Sequence, residues 1–390
     1  MDIPIVTNMR KRVVIINKYG ALHPSATGRP VRKLADYLWE NGVDVIVLSI
    51  HAPYKGQVSQ REEKLPYQTI ELPDFYSGKN KWLRLIGNLI DGFRLVAYSM
   101  LLPQHQLKVV LTDPSLINTW AVLFRPFYRS KLVFWTMDLY PEAFASAGLI
   151  SRNNSVYRMI SSFVYYHVPD FLIALGEQQY RYLCRQYKQS YIPHIVLPCG
   201  ICPKEEAAEP LWRKANRDKI IFCYAGNIGE AHNDVFLLEL IRQLDPGKHL
   251  ILLRLYGAKA QQVLKEVSAF ETVVLLDYIA PAEMQYVDIC VASLLPAWNH
   301  VCVPSKVVSA ICRGIPVLYN ANKESEGACM FPEAIWLIPD FTELSDSILT
   351  FLNALSAEDI LLRKEAAERY SQEFVGMEYT NQMNLLKMIK

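Results

Sequence analysis

The chain has 390 residues, of which 51% are hydrophobic, and it carries a formal net charge of +2 at neutral pH. This length and apolar content exclude a disordered tail protein and allow two or three buried cores. The charge is unevenly divided: residues 1–200 contain 23 Lys and Arg against 14 Asp and Glu, whereas residues 201–390 contain 18 against 25. The basic half is suited to anionic lipid or a phosphorylated substrate, unless its charges are only solvated. Nucleic acid is disfavoured, because no run of Lys and Arg is interleaved with aromatic residues.

The first part of the chain alternates strand-like and helix-like segments. RVVIINKY (12–19) is typical of a buried parallel strand. A loop containing Gly28 follows, and the amphipathic segment RPVRKLADYLWENG predicts a helix closed by Gly42. Further strands are predicted at DVIVLSI and at residues 108–112, 131–137 and 170–175. This order resembles the opening of a doubly wound sheet, but the loop lacks the G-x-G-x-x-G spacing of a dinucleotide site.

Two stretches combine apolar, aromatic and basic residues: 82–102, WLRLIGNLIDGFRLVAYSMLL, and 157–168, YRMISSFVYYHV. Such segments can lie in a membrane interface, although most of them pack on a protein core. We predict no transmembrane span, since the longest uncharged run, 289–305, is interrupted by prolines, Asn299 and His300. The first residues lack the pattern of a secretory signal peptide, so a cytoplasmic protein is expected.

Two of the eight cysteines, Cys199 and Cys202, have the spacing of a dithiol redox motif. HIVLP before them predicts a strand, and PKEE after them is compatible with the start of a helix, which is the context that lowers the pKa of such a thiol. The chain has no second C-x-x-C for zinc, and we expect no domain of thioredoxin size around the pair. A redox role is therefore disfavoured.

A second series of elements follows the polar segment 203–219, which has the composition of a linker. KIIFCYAGNIG (219–229) predicts a strand that runs into a glycine turn, and further helices and strands alternate after it. Repeated β-α units in two halves indicate two Rossmann-like domains with a cleft between them. We expect an N-terminal domain at 1–200, a C-terminal domain at 201–370, and a closing helix at 371–390 that can return to the N-terminal domain.

The most informative stretch is VPSKVVSAICRGIPVL, which begins at Val303. Its pattern predicts a turn, a helix that opens at Ser305 and Lys306, and then a buried strand. Gly314 would end the helix and Pro316 would prevent it from resuming. The unpaired N–H groups and the dipole at such a helix start favour an anion. The simpler interpretation is an ordinary helix-to-strand connection with a solvated lysine.

Five segments, in one order along the chain, carry motifs of a known family: SATGRPVRKLADYLWENGVDVIVLS, FWTMDLYPEAFASAGLI, HIVLPCGIC, YAGNIGEAHN and VPSKVVSAICRGIPVL. Together they resemble the retaining GT-B glycosyltransferases of family 4, with its D-L-x-P-E stretch, its strand ending in P-N-G-x-D and its P-S-K…G-x-P-V element. The resemblance covers essentially the whole chain and is greatest to the branch that adds amino- or deoxysugars to surface polysaccharides. It implies an α/β protein of GT-B architecture, in which two Rossmann-like domains with parallel sheets face each other across a cleft.

The resemblance implies roles for residues on both sides of this cleft. Lys306 would stabilise the charge of the donor diphosphate, with help from Ser305 and nearby backbone N–H groups. The other donor-binding residues that it implies are Gly28, Gly226, Asn227, Gly229, Tyr278, Pro304 and Ser309. Asp138 would bind sugar hydroxyls or steady positive charge at the anomeric carbon. Glu142 would share this catalytic role or would only interact with a helix dipole.

The chain departs from the family at several positions. The family commonly has two Glu residues separated by seven others, and Val301 and Ser309 occupy their places here. Ser309 can still hydrogen-bond a ribose hydroxyl, more weakly than a carboxylate would. The Arg and Lys that often follow the first glycine turn of the second domain correspond to Asn227 and, roughly, His232, and the His before the D-L-x-P-E motif corresponds to Met137. These changes leave the P-S-K lysine to hold more of the diphosphate charge. The cysteines of the C-x-x-C pair occupy the Asn and Asp positions of P-N-G-x-D, which favours a substituted interdomain hinge over a redox centre.

One function and two alternatives follow from this resemblance. The expected function is metal-independent transfer of a sugar, with retention, from a UDP-sugar to a polyprenyl-diphosphate-linked glycan in capsule or O-antigen biosynthesis. The expected partners are the nucleotide sugar, the lipid-linked acceptor and the inner surface of the cell membrane, with no cofactor besides the donor. The alternatives are a non-catalytic GT-B partner protein that binds nucleotide sugar, and a sugar-nucleotide epimerase, for which no acid and base residues can be assigned.

Overall fold

A computed structural model describes residues 11–25, 27–51, 64–78, 80–202 and 204–389. Within these residues, seven strands form one sheet and six strands form a second sheet. All strand pairings in both sheets are parallel. The predicted fold class, an α/β chain with two parallel-sheet domains, is therefore confirmed.

The first sheet has the strand order β3-β2-β1-β4-β5-β6-β7. Its strands are β1 (Arg12–Ile16), β2 (Asp44–His51), β3 (Gln68–Pro73), β4 (Leu107–Val110), β5 (Lys131–Thr136), β6 (Phe171–Ala174) and β7 (His194–Val196). The helices between them are α1 (Gly28–Glu40), α2 (Lys81–Ser99), α3 (Ile117–Leu123), α4 (Glu142–Ser146), α5 (Ser155–Val164) and α6 (Glu177–Gln186). The direction of sheet growth reverses between β1 and β4, so the loops after these two strands meet at a topological switch point, where ligands of such sheets bind.

The second sheet has the order β10-β9-β8-β11-β12-β13, which reverses between β8 and β11. Its strands are β8 (Ile220–Asn227), β9 (His249–Tyr256), β10 (Val273–Leu275), β11 (Ile289–Ser293), β12 (Val317–Asn320) and β13 (Ile335–Ile338). The helices are α7 (Leu211–Lys214), α8 (Asp234–Gln243), α9 (Ala260–Val267), α10 (Ser305–Ile311), α11 (Glu326–Met330), α12 (Leu344–Ala354) and α13 (Ala357–Ile389). Each sheet thus brings the loops of its own switch point to its carboxyl edge.

The central strands are buried on both faces, which explains their continuous apolar sequences. In β1, Val13 and Ile15 point into one apolar cluster, and Val14 and Ile16 point into another, as the period of two in a strand requires. The first cluster continues from the N-terminal sheet to α10 and α13, whereas the second lies mainly in the N-terminal domain. A shared core therefore connects the two domains.

The predicted strands are all present. Besides the short strand β13, the strand β3 was not predicted. It is an edge strand whose side chains are exposed or half-buried, so its sequence contains no apolar run. The predicted closing helix at 371–390 forms the second part of a longer helix of 33 residues, α13. Among the described residues, no helix is long and apolar enough to cross a membrane.

The last part of α13 packs on the N-terminal domain. Asn381 Nδ2 donates a 2.6 Å hydrogen bond to the carbonyl oxygen of Val196 in β7. The rings of Tyr379 and Tyr37 meet edge to face with centroids 6.5 Å apart. The last part of α13 therefore contacts the N-terminal domain, whereas its earlier part packs against α10 in the C-terminal domain.

Candidate active site between the two sheets

Lys306 lies in the first turn of α10, with its ammonium group directed at the carboxyl end of β8. Its Nζ donates a 2.9 Å hydrogen bond to Tyr224 Oη and a short one to the carbonyl oxygen of Asn227. The same nitrogen lies 4.2 Å from the centroid of the Tyr224 ring. Burial lowers the pKa of Lys306 to about 7. In the part of the chain that the structure describes, no carboxylate forms an ion pair with Lys306, and a bound anion would stabilise its charged form.

The glycine turn that begins with the last residues of β8 lies around this lysine. Gly226 has φ +130°, and a Cβ at this position would lie 3.0 Å from Lys306 Cε. The Gly229 N–H donates to His232 Nδ1 at 3.2 Å, and burial together with the Lys306 charge lowers the pKa of His232 to about 3. The neutral imidazole of His232 therefore accepts a hydrogen bond from one backbone N–H of the turn. The predicted donor residues Gly226, Asn227, Gly229 and Lys306 are brought together by the fold.

Two exposed tyrosines stand further along the same sheet edge. Tyr278 follows β10 and is 66% exposed, and Tyr256 is the last residue of β9 and is 48% exposed. Tyr256 is paired in register with Asn227 of β8, so it lies one strand from the glycine turn, whereas β10 lies two strands away. The exposed Tyr278 ring can stack on a planar group, whereas the Tyr256 ring already has the Arg254 guanidinium over it, 5.4 Å from its centroid. The sequence analysis selected Tyr278 and missed Tyr256. The position of Tyr256 at the end of a predicted strand could have indicated that it lies at the same sheet edge.

The other predicted residues at the start of α10 contact the connection between the domains. Pro304 is buried and precedes the first turn. Gly200, at φ +101°, leaves room for Ser305, since a Cβ there would lie 2.5 Å from the Ser305 carbonyl oxygen. Ser309 Oγ donates to the Lys306 carbonyl oxygen at 3.2 Å, and the Cys202 thiol donates to the Ser309 carbonyl oxygen at 3.7 Å. Ser309 thus faces the interdomain connection in this conformation.

The thiols of the C-x-x-C pair are not activated. Burial, with a smaller contribution from Asp138, raises the pKa of Cys199 to about 12, and burial raises that of Cys202. A nucleophilic dithiol needs a lowered pKa. The pair lies between the two domains and contacts α10, which favours the hinge interpretation.

On the N-terminal side, Gly28 begins α1 and is buried. Its N–H is not available to a ligand in this conformation, because it donates to Ser25 Oγ at 3.0 Å. A Cβ at Gly28 would lie 2.2 Å from the carbonyl oxygen of His23 and 3.0 Å from that of Gly20. Gly28 is therefore required by the tight loop that precedes α1.

Asp138 follows β5 at the carboxyl edge of the N-terminal sheet, and its N–H donates to Thr112 Oγ1 at 3.0 Å. Burial, together with the nearby Asp113, raises its pKa to about 7. Burial also raises the pKa of Asp113 to about 6, and Lys18 opposes this shift. The charge of Asp138 contributes to the raised pKa of Cys302, which belongs to the other domain. Asp138 therefore faces the C-terminal domain, as the sequence predicted.

Glu142 does not lie beside Asp138 on an open surface. It is fully buried, and its Oε1 accepts hydrogen bonds from Tyr165 Oη at 2.8 Å and from Tyr182 Oη at 3.0 Å. Burial raises its pKa and the two tyrosines oppose this shift. In this conformation Glu142 supports neighbouring side chains of the N-terminal domain and does not face the cleft.

A second carboxylate, which sequence reasoning missed, connects the domains. Glu326 in α11 accepts the backbone N–H groups of Gln178 at 2.9 Å and Gln179 at 3.0 Å, in the first turn of α6. A Cβ at Gly176 would lie 1.9 Å from Glu326 Cδ, so this approach requires glycine. A carboxylate at a helix N-terminus is stabilised by the helix dipole. No motif marked this residue, since its partners lie about 150 positions away.

Within the described ranges, no group of three or more His, Cys, Asp or Glu side chains is placed to hold a metal ion. The site instead combines a lysine and a glycine turn at the carboxyl edge of one sheet with a raised-pKa carboxyl group at the carboxyl edge of the other. This arrangement can bind an anionic group on one side and hydroxyl groups on the other.

Solved structures share this architecture over nearly the whole chain. Sucrose-phosphate synthase from Thermosynechococcus elongatus matches with a TM-score of 0.71 and 14% identity, over 97% of this chain and 98% of its own. WaaG, a glycosyltransferase involved in lipopolysaccharide biosynthesis, matches at 0.66 and 15%, over 97% and 99%. Anabaena Alr3699/HepE, in complex with UDP and glucose, matches at 0.63 and 12%, over 96% and 99%. No family model matches the chain, and no curated protein is significantly similar to it in sequence. The chain thus has the GT-B fold.

Proposed function

We propose that the protein is a glycosyltransferase that moves a sugar, with retention, from a UDP-sugar to a lipid-linked glycan. The observation that carries this proposal is the environment of Lys306, a half-buried lysine whose pKa burial lowers to about 7, beside the Gly226 turn at the switch point of the C-terminal sheet. A diphosphate there would restore the charged form of the lysine. The similarity to a structure that holds UDP and glucose supports this class of donor.

In the proposed reaction, Lys306 and backbone N–H groups stabilise the charge on the departing diphosphate. The bond between the anomeric carbon and the phosphate oxygen breaks, and the acceptor hydroxyl oxygen attacks from the same face of the sugar. The departing phosphate oxygen takes the hydroxyl proton, so no strong protein base is needed. Asp138, in its carboxylate form, would steady positive charge at the anomeric carbon or hold a sugar hydroxyl. Metal independence and the absence of a further cofactor are part of the proposal.

A lipid-linked acceptor is supported by an exposed apolar surface on the N-terminal domain. Its helices are α2, α3 and α5, of which α3 packs against both others. Exposed apolar side chains on this surface are Leu83, Ile86, Phe93, Leu123, Phe127, Val156, Met159 and Tyr166. Arg158, also exposed, lies among them on α5. Apolar and aromatic groups beside arginine are suited to the interface of an anionic membrane, where the acceptor would be presented.

A panel of nucleotide sugars tests the proposal. We expect UDP and one UDP-sugar to raise the melting temperature, and that sugar to be transferred to a polyprenyl-diphosphate-linked glycan. NMR of the anomeric proton in the product reports retention or inversion. The absence of any stabilisation by nucleotides or nucleotide sugars would refute the assignment.

The membrane part is tested separately by sedimentation with vesicles that contain anionic lipid. Met159→Glu in α5 is expected to reduce binding, because it places a carboxylate in the apolar surface. Val235→Glu is the matched control, since Val235 is similarly exposed but lies on α8 of the C-terminal domain. Equal binding of wild type and Met159→Glu would exclude this surface.

A second candidate is a non-catalytic GT-B protein that binds nucleotide sugar. It is favoured by Val301, which is buried, and by Ser309, whose hydroxyl donates within its own helix, at the two positions where the resemblance predicts Glu. Binding of UDP-sugars without hydrolysis or transfer would select this candidate.

A further inference from the structure

The segment 296–303, between β11 and α10, belongs to the C-terminal domain in sequence but is bound by the N-terminal domain. The Leu139 N–H donates to the Val301 carbonyl oxygen at 3.0 Å, and Ser146 Oγ donates to the Ala297 carbonyl oxygen at 2.5 Å. Val301 is 1% exposed and lies in the apolar cluster of the N-terminal domain. Trp298 packs against both this cluster and the shared core. The segment thus ties the two domains together immediately before Lys306.

His300 is held in this segment by an aromatic contact from the N-terminal domain. Its φ is +64°, a left-handed backbone conformation that residues other than glycine rarely adopt. Its ring stacks on that of Tyr182, with centroids 5.8 Å apart and planes 16° apart. Tyr182 Oη donates to Glu142 Oε1, as Tyr165 Oη does. Glu142 therefore fixes the tyrosine on which His300 rests.

We propose that residues 296–303 form an interdomain strap, and that Glu142 is a positioning residue that acts through Tyr182 and His300. By holding the strap on the N-terminal domain, this chain of contacts sets the place of Lys306 relative to Asp138. The inference rests on the proposed transfer reaction and explains a buried acidic residue that does not face the cleft.

The strap affects two steps of the reaction differently. The contacts of Lys306 with Tyr224 and Asn227 lie wholly within the C-terminal domain, so UDP binding does not require the strap to be docked. Transfer requires both domains, because Asp138 belongs to the N-terminal sheet. A misplacement of about 1 Å between reacting groups can lower a rate about 100-fold. Loss of the strap contact should therefore lower kcat and leave the Kd for UDP unchanged.

The minimal variant is Tyr182→Phe, which removes the hydroxyl that Glu142 holds and keeps the ring. Tyr165→Phe is the matched control, because it removes an equivalent bond to the same oxygen while its ring meets that of Tyr187, as the Tyr182 ring meets that of His300. His300→Gly removes the stacked ring and tolerates the positive φ. We expect kcat to fall about 10- to 100-fold in Tyr182→Phe and His300→Gly, and less in Tyr165→Phe.

Glu142→Gln tests the carboxylate itself. Both hydrogen bonds end on Oε1, and the amide oxygen of Gln can accept them in the same way, so this variant should retain more kcat than Glu142→Ala. A purely structural role would give a fall in melting temperature that follows the fall in kcat across all these variants. That outcome, or a loss of UDP affinity as large as the loss of kcat, would overturn the proposal.

Hydrogen exchange provides a readout that does not depend on activity. The Leu139 amide is protected by its bond to Val301, and strap release should expose it. We expect faster exchange in a peptide that contains Leu139 in Tyr182→Phe and His300→Gly, with the melting temperature close to that of Tyr165→Phe. If no nucleotide sugar is turned over, the proposed transfer function is refuted. The exchange measurement still tests whether the strap is held on the N-terminal domain. Unchanged exchange in both variants would exclude it.

Discussion

Lys306→Met removes the one charge on which the proposed donor site most depends, while it keeps the length of the side chain. In the free protein the lysine donates to Tyr224 Oη and to the Asn227 carbonyl oxygen, and burial lowers its pKa to about 7. The wild-type protein thus bears the free-energy cost of a partly buried ammonium group. Methionine does not, so we expect the variant to be at least as stable as the wild type.

Binding should change in the opposite direction. A hydrogen bond to a charged group contributes about 1.5–3 kcal/mol, and about 1.4 kcal/mol corresponds to a factor of ten in affinity. Loss of one such bond from Lys306 to the diphosphate would weaken UDP binding about 10- to 150-fold. A fall in affinity together with unchanged or higher stability separates this mechanism from general unfolding.

The pH dependence of UDP binding gives a further check on the role of the Lys306 charge. Bound diphosphate favours the ammonium form, so binding raises the pKa of Lys306 above its value of about 7 in the free protein. The lysine contribution is then complete below pH 7 and is lost as the pH rises from 7 to the pKa of the complex. Because UDP itself titrates, the ratio of wild-type to Lys306→Met affinity is the quantity to follow, and we expect it to fall over this range.

Isothermal titration calorimetry with UDP at several pH values measures these affinities. Lys108→Met is the control: burial lowers the pKa of Lys108 to about 7, as it does that of Lys306, but Lys108 is the more deeply buried and lies in β4 of the other domain, with Nζ 3.6 Å from the centroid of the Tyr128 ring. The control should bind UDP as the wild type does. Equal UDP affinity in Lys306→Met and the wild type would refute the site assignment.

Four further outcomes follow from the same structure. Burial lowers the pKa of Lys108 from 10.5 to about 7, so the stability of the wild-type protein should rise between pH 7 and 10.5. Chemical denaturation of Lys108→Met should show no such rise. Gly226→Ala places a Cβ 3.0 Å from the lysine Cε at φ +130° and should weaken UDP binding about tenfold by calorimetry. Asp138→Asn should lower kcat about 100-fold. It should also raise the melting temperature at pH 8, because burial raises the pKa of Asp138 to about 7, so that the wild-type protein loses stability as the pH rises from 4 to 7. Gly176→Ala should displace Glu326 from the start of α6 and lower the melting temperature, and an unchanged value would show that this contact contributes little.

The order of elements was largely predictable from the sequence. Buried strands such as β1 and β8 are continuous apolar runs, and the glycine at 314, at φ +74°, ends the turn after α10 as its position predicts. The edge strand β3 was missed because its side chains are exposed or half-buried, so its sequence contains no apolar run. The family resemblance implied the grouping of Gly226, Asn227 and Lys306, and the fold brings these residues together because β8 and β11 lie on either side of a switch point.

The environment of each side chain was not predictable in the same way. Glu142 lies in a motif with Asp138, and the sequence assigned both residues to the cleft, but the fold buries Glu142 against Tyr165 and Tyr182. Tyr182 lies 40 positions away in sequence, on α6, and nothing in the local pattern connects the two residues.

By itself, the sequence determined the β-α periodicity, the two parallel-sheet domains and the positions of the turns, because these depend on residues a few positions apart. Only the tertiary structure decided which polar groups are buried and which partners they have. The pKa of Lys306, the cap that Glu326 forms on α6 and the docking of residues 296–303 on the N-terminal domain each depend on elements that are distant in the chain. Desolvation and hydrogen bonding act over a few ångströms in space, and the fold alone brings these groups within that range.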